Sequence, residues 1–400
     1  MENQKALLLL VGGRSLPNIL TVIHEKPDFI ATVSSKESEQ KELKDLLQAI
    51  NILLPSCEVK SFGPIDAYDV EGIKQACQEA LAYKSEASWI FNITSATTIM
   101  SLAAYEVAKE NASQKSIVCW YLNTARSQVI SLVGEGRDSQ IFSISVKDYA
   151  LAYGRPLRSG GLDSNKSEQI ERFRRRCEND WLPVARTLGK NPQLISFLKE
   201  LIKRAGGKPK ADNPKTCHSK MVVSQEEFAF LEDVQRMGLL SNLHRSKDQL
   251  DFKWDHLQAE FLNGKWLEIY TWNEVKEAGI FDDCQWGQVI SNVQTTNELD
   301  VAATYKAHLI NIECKTGSAD ASSKDTLYKL STVSGYLGGN YVVKALVTSI
   351  LPEADKNGQT KDYTSLVARA EDLHILFISS ADLPNLREKL VSHAINAPKR

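Results

Sequence analysis

The sequence predicts an α/β protein made of two sheet-bearing domains and a helical connector, and three observations carry that expectation. Its 400 residues exceed the roughly 250–300 at which a single hydrophobic core stops growing. Near both ends of the chain, short apolar runs alternate with amphipathic helical stretches, the pattern of sheets covered by helices. Between them lies a stretch with helical periodicity and a strong basic excess.

The first domain follows from five runs read in order: "ALLLLV" (6–11), "FIATV" (29–33), "CEVKSF" (57–62), "SWIFNI" (88–93) and "SIVCWYL" (116–122). Amphipathic segments such as "KESEQKELKDLLQAINILL" and "DVEGIKQACQEALAYK" separate them. Continuously apolar strands alternating with helices predict a parallel sheet covered on both faces, a Rossmann-like arrangement. "QVISLV" and "IFSISV" are expected to extend that sheet as a hairpin. The domain is assigned to residues 1–153.

Residues 154–248 form the connector. Its helices are "SEQIERFRRRCENDWLPVARTL" and "PQLISFLKELIKRA", followed by the linker-like "GGKPKADNPKTCHSK" and by "SQEE" (224–227), a capping box that opens another helix. From Arg155 to Thr216 there are 15 Lys and Arg against 7 Asp and Glu, a local charge of +8 in a chain whose total is −2. An excess confined to one segment suits a phosphate-tracking groove or a solvated helical face.

Residues 249–400 form the second α/β domain. A long helix over "WDHLQAEFLNGKWLEIYTWNEVKEA", with a break at Asn263-Gly264, precedes the strands "QVISNVQ", "ELDVAATY", "HLINIEC", "YVVKALVTSI" and "HILFIS" of a mixed sheet. The hydrophobic content of 42% and charged content of 24% are ordinary for a soluble protein, and no run reaches the roughly 20 apolar residues of a membrane span. "KALLLLVGG" lacks a cleavage site and reads as a buried first strand rather than a signal peptide. Seven scattered cysteines without a CxxC pair fit a reducing cytoplasm and argue against structural zinc.

The chemistry is expected on "NELDVAATYKAHLINIECKTG" (297–317). A two-residue turn at Lys306-Ala307 sets Asp300 opposite Glu313, with Cβ atoms about 4.5–5.5 Å apart. Strand alternation puts Lys315 on the Glu313 face and turns Ile312 and Cys314 to the core. Two carboxylates that close repel unless a cation lies between them. Hard ions such as Mg²⁺ or Mn²⁺ take carboxylate oxygens, a backbone carbonyl and water, so Asp300, Glu313 and the Cys314 position form the expected metal site. Lys315 is placed to hold an attacking water or to stabilise charge on a phosphate, and Glu268, on the preceding helix, supplies a third carboxylate.

Glu268, Asp300 and Glu313-x-Lys315 together resemble the PD-(D/E)xK nuclease superfamily. "GKWLEIY", "NELDV", "IECKTG" and "LYKLSTVSGYLGG" are similar to the CRISPR-associated nucleases in which a CARF sensor domain, a CRISPR-associated Rossmann fold, precedes this nuclease fold. That resemblance implies catalytic roles for Glu268, Asp300, Glu313 and Lys315, and places Tyr328 and Lys329 near the substrate backbone.

Two loops of the first domain complete the resemblance. "GGRSLPN" (12–18) follows the first strand and "NITSATTIM" (92–100) follows the fourth. In open α/β sheets, ligands sit beyond the carboxyl ends of strands, where helix N-termini present free amides. Gly12, Gly13, Arg14, Ser15 and Asn18 on one loop, and Thr94, Ser95, Ala96, Thr97 and Thr98 on the other, are the expected ligand-binding residues. No GxGxxG is present, so this is not a dinucleotide fingerprint. The CARF pattern after the fourth strand is often N-x-T-G-G-T-K. Here Ser95 and Ala96 replace the glycines and Thr98 replaces the lysine, small residues that still permit close approach.

The resemblance implies a cytoplasmic homodimer whose paired CARF domains bind a cyclic oligoadenylate, cyclic tetra-adenylate being favoured. That ligand would activate a metal-dependent nuclease acting on DNA, RNA or both in type III CRISPR defence. Two other readings stay open: a constitutive restriction or repair nuclease that uses the first domain to dimerise, and a nucleotide-sensing regulator without catalysis.

Overall fold

The computed structural model describes residues 4–13, 15–134, 142–158, 164–206, 209, 215–291, 296–316, 324–350 and 361–396. Arg14 and most of the linker-like stretch lie outside these residues. In the first domain the strands are β1 (Lys5–Val11), β2 (Phe29–Ser34), β3 (Glu58–Ser61), β4 (Ser88–Asn92), β5 (Ile117–Asn123) and β6 (Gln128–Val133). The helices are α1 (Leu16–Glu25), α2 (Lys44–Leu53), α3 (Val70–Tyr83), α4 (Thr98–Asn111) and α5 (Val146–Ala152).

The sheet order is β3-β2-β1-β4-β5-β6, parallel except for β6. All six residues from Ala6 to Val11 are buried, as a strand covered on both faces requires. The order reverses between β1 and β4, so the loops after these strands open side by side at the switch point. "IFSISV" is not a strand where it is described: Ser145 accepts from the Asp148 amide as the N-cap of α5, and Phe142, Ile144 and Val146 are buried as anchors ahead of that helix. Alternating apolar residues gave the strand signal, but a capping serine decided the local structure.

The connector is not purely helical. Strand β7 (Leu157–Arg158) pairs with the edge of the second domain's sheet. After α6 (Ser164–Arg175), α7 (Leu182–Lys190) and α8 (Pro192–Arg204) comes a three-stranded sheet, β8-β10-β9, of β8 (Lys215–Lys220), β9 (Ser241–Arg245) and β10 (Gln249–Trp254). Helix α9 (Gln225–Arg236) opens on the expected Ser224/Glu227 capping box. In β10, Leu250, Phe252 and Trp254 face inward and alternate with the polar Gln249, Asp251 and Lys253, a period of two.

This module shares one core with the second domain. Trp181, Trp254 and Trp266 are fully buried in it with residues from α7, α8 and one face of the large sheet. Several of the segment's cations hold this junction together. Arg174 donates to the Trp286 carbonyl and stacks on its ring, Arg186 reaches Asn273, and Lys199 donates to the Ser349 carbonyl.

The second domain begins with α10 (His256–Glu260), a π-turn at 261–265 and α11 (Trp266–Glu277), so the helical path continues through Asn263-Gly264. Its strands are β11 (Asp283–Ser291), β12 (Thr296–Tyr305), β13 (His308–Lys315), β14 (Val342–Thr348) and β15 (Ile375–Ile378). Helices α12 (Lys324–Tyr336), α13 (Lys361–Asp372) and α14 (Leu386–Asn396) complete it. The sheet order β15-β14-β13-β12-β11-β7 is mixed: β13, β14 and β15 are parallel, the rest antiparallel. Among the described residues no helix is long and apolar enough to cross a membrane.

Candidate functional site

The β12–β13 hairpin turns at Lys306-Ala307 as expected, with both residues at positive φ, 48° and 66°. The ladder runs from Tyr305 opposite His308 to Val301 opposite Ile312, which brings Asp300 and Glu313 together one step beyond its end. There the Asp300 carboxylate takes over from the ladder: Oδ2 accepts the Cys314 amide at 2.8 Å. Lys315 Nζ lies 2.6 Å from Glu313 Oε1 and 3.4 Å from Asp300 Oδ2. Lys329, on α12, approaches Glu313 to 3.7 Å, while Tyr328 is exposed beside it.

Helix α11 delivers Glu268 to the same place. Oxygens of Glu268, Glu298 and Asp300 lie within 4.8 Å of one another, and Lys265 bridges Glu268 at 2.8 Å and Glu298 at 3.4 Å. The site is therefore two carboxylate groups joined at Asp300, each with a lysine.

Burial, reinforced by Asp300, pushes the Glu268 carboxyl up to about 8. Burial and the neighbouring Glu313 push Asp300 up to about 6. For Lys315, burial favours the neutral amine, but Asp300 and Glu313 outweigh it and hold the ammonium above its ordinary value.

A hard divalent cation fits this set. All donors are oxygens, and two of them resist ionising together without added positive charge. Glu313 Oε1 is buried and meets no donor at hydrogen-bond angles among the described residues, so its contact with Lys315 is ionic rather than directed. Cys314 joins through its main chain only. Its thiol points to Thr271 on α11, and burial holds it well above its usual value and protonated. A strand residue's N–H and C=O point to the same edge, so the Cys314 carbonyl faces the Asp300 side.

In the first domain the two loops meet. A Cβ on Gly12 would lie 2.2 Å from the Ser95 carbonyl oxygen and 2.9 Å from the Ala96 Cα, so only glycine lets the loops pass. Gly13 is exposed with nothing near its missing Cβ, and Ser15 is half-buried ahead of α1.

Asn18 is buried and donates to the Leu10 carbonyl. Asn92 donates to Asn18, Thr21 and the Pro17 carbonyl, tying the loops from beneath. Thr94 accepts the Leu122 amide at 2.7 Å, and Thr97 caps α4 through the Met100 amide. Thr98 is exposed, Ala96 half-buried, and Ser95 buried, its hydroxyl meeting no partner among the described residues.

The two domains have counterparts among known families. Residues 6–149 match the family described as the Card1 CARF domain, and residues 255–397 match the Card1-like endonuclease domain. The chain belongs to the Card1-type CARF endonucleases. Protein VC1899 from Vibrio cholerae has the same fold, with a TM-score of 0.74, 18% identity and 98% of each chain covered. Can2 from Sulfobacillus thermosulfidooxidans, solved in complex with cyclic tetra-adenylate, matches with a TM-score of 0.71 at 18% identity, covering 98% of this chain and 97% of Can2. No curated protein matches the chain.

In this Card1-type chain, sequence reasoning missed Lys265 and Glu298. Both carried a signal. Glu298 is two residues before Asp300 on a strand, and Lys265 is three residues before Glu268 on a helical path, the spacings that put side chains on one face.

Proposed function

We propose that this protein is a divalent-metal-dependent endonuclease, switched on by a cyclic oligoadenylate, that cleaves phosphodiester bonds of DNA, RNA or both in type III CRISPR defence. The observation that carries the reading is the contact of Lys315 with both Asp300 and Glu313, buried at a strand end inside an endonuclease domain.

Asp300, Glu313 and the Cys314 carbonyl would hold Mg²⁺ or Mn²⁺, which supplies Lewis acidity toward a phosphodiester and charge to offset the carboxylates. Lys315 stays protonated in this setting. It acts by donating hydrogen bonds to the attacking water or a phosphate oxygen, rather than by accepting a proton. Glu268 and Glu298 close the acidic side, and Lys329 offers a further cation to the substrate backbone.

The CARF domain and the cyclic tetra-adenylate bound by the structurally similar Can2 support cyclic tetra-adenylate as the activator. A ligand with two-fold symmetry fits an isologous pair of sensor domains, hence a homodimer. The glycine and threonine loops at the switch point are the surface it would contact.

The test incubates purified protein with Mn²⁺ or Mg²⁺, single- and double-stranded DNA and RNA, and cyclic oligoadenylates of several ring sizes. Cleavage is expected only with both metal and activator, and most strongly with the tetra-adenylate ring. Equal cutting without activator would assign the chain to a constitutive nuclease. No cutting under any combination would leave a sensor without catalysis.

A further inference from the structure

The turn of the catalytic hairpin is buried in the sensor domain. Ala307 is 2% exposed and sits in a hydrophobic cluster that includes Leu122 and Val129 of the sensor sheet. Directly after β5, the chain makes a 3-10 turn over Thr124–Arg126, whose cap is Asn123 accepting from the Arg126 amide. This turn grips the hairpin at two points. Ser127 Oγ donates to the Lys306 carbonyl, and His308 Nε2 lies 3.0 Å from the Thr124 carbonyl. A carbonyl only accepts, so Nε2 carries the proton.

Both turn residues hold left-handed backbone without being glycine, a conformation that persists only where surrounding contacts impose it. Here those contacts come from both sides, since Asp282 of the nuclease domain accepts the Lys306 amide while Ser127 of the sensor takes its carbonyl. Thr304, next to the turn on β12, donates to the Ile144 carbonyl of the sensor.

The same stretch of β5 is held by a loop residue expected to face the activator. Thr94 Oγ1 accepts the Leu122 amide, and its own amide donates to Asn92 at 3.1 Å. A continuous path therefore runs from Thr94 through Leu122 to Thr124, across to His308 and Lys306, and along five paired residues of β13 to Glu313 and Lys315. The hairpin spans about 17 Å over that distance at the usual strand rise, and a paired ladder moves as one body.

We propose that Ser127 and His308 are positioning residues for the nuclease, clamping the turn of the β12–β13 hairpin to the end of β5. Movement of the loop carrying Thr94 then reaches Glu313 and Lys315 as a displacement of the whole hairpin. The inference rests on the reading that a ligand at the sensor loops activates cleavage. It adds that Ser127 and His308, neither of them among the residues assigned to ligand or metal, join the two sites.

The experiment compares wild type with Ser127→Ala, His308→Leu and His308→Gln. Cleavage with Mn²⁺ is measured with and without saturating cyclic tetra-adenylate, and binding of that ring is measured by calorimetry. Ser127→Ala removes a hydroxyl at an unchanged backbone conformation, so it tests the clamp even if His308→Leu folds poorly.

Losing one such hydrogen bond should lower the ratio of activated to unactivated rate about 5- to 10-fold. Activator affinity and substrate KM should stay within about twofold, the change appearing in kcat. His308→Gln keeps an N–H donor and should restore most of the ratio.

An unchanged ratio in both Ser127→Ala and His308→Leu would overturn the inference while leaving the activated-nuclease reading intact. Loss of activator binding in both would overturn it too, by placing these residues in the ligand site. A ratio of one in wild type would instead overturn the activation reading, and this inference with it.

Discussion

The two six-stranded sheets both gather polar side chains at strand ends, yet they solve opposite problems. At the end of β4, Asn92, Asn18 and Thr21 are neutral and satisfy one another, so the loops above are held with no outside partner. At the end of β13, Asp300 and Glu268 are acids whose charged forms burial and neighbouring carboxylates disfavour, and Lys265 and Lys315 only partly offset this. A hydrogen-bonded neutral network can be complete in itself, whereas buried like charges call for a cation. The first arrangement is electrostatically complete in itself, and the second is not.

The largest effect expected from that contrast is chemical. Glu313→Gln removes a charge and keeps the shape, and activated cleavage should fall by at least about 100-fold, the scale of losing one electrostatic stabiliser. Calorimetric binding of cyclic tetra-adenylate should be unchanged. A parallel loss of activator binding would erase the distinction between the two strand ends.

Next in size is the response to pH. Glu268 and Asp300 have folded values of about 8 and about 6 against reference values of 4.5 and 3.8. Raised carboxyl values mean that their contribution to stability is fully present below about pH 4 and is lost as pH rises through 6 and then 8. Metal-free protein should therefore melt at progressively lower temperature between pH 5 and 8. Stabilisation by added Mn²⁺ should grow over the same interval, because the ion needs the deprotonated ligands. A melting temperature that climbs across this window without metal would contradict the site's electrostatics.

The smallest effects distinguish adjacent glycines of the sensor. Gly12→Ala drives a Cβ into the Ser95 carbonyl and should cost about 1–3 kcal/mol, as overpacking does, with weaker activator binding. Gly13→Ala meets nothing within 4 Å and should stay within about 0.5 kcal/mol. Equal effects on thermal melting would mean that the two loops do not pass as closely as described.

Much of this was legible in the residues. The order of apolar runs gave both sheets, and a two-residue turn gave the register that brings Asp300 to Glu313, because strand pairing is arithmetic once the turn is placed. The "IFSISV" segment failed because alternation is shared by strands and by anchored coil, and Ser145 chose a helix. The strands of the connector's three-stranded sheet are five or six residues long and mostly polar on one face, too short for a clear periodic signal. Residues such as Arg174 and Lys199 read as a basic surface, yet their side chains bind carbonyls of the neighbouring domain.

The sequence by itself determined the two domains, the β12–β13 hairpin and the identity of its Asp, Glu and Lys, since periodicity and spacing act over a few residues. Only the tertiary structure decided that Glu298 and Lys265 join the acidic cluster, that Asn18 lies beneath the loops after β1 and β4, and that the hairpin turn is seated against Thr124 and Ser127. Those contacts join positions tens to hundreds of residues apart. They depend on how helices and sheets pack, which local spacing alone does not decide.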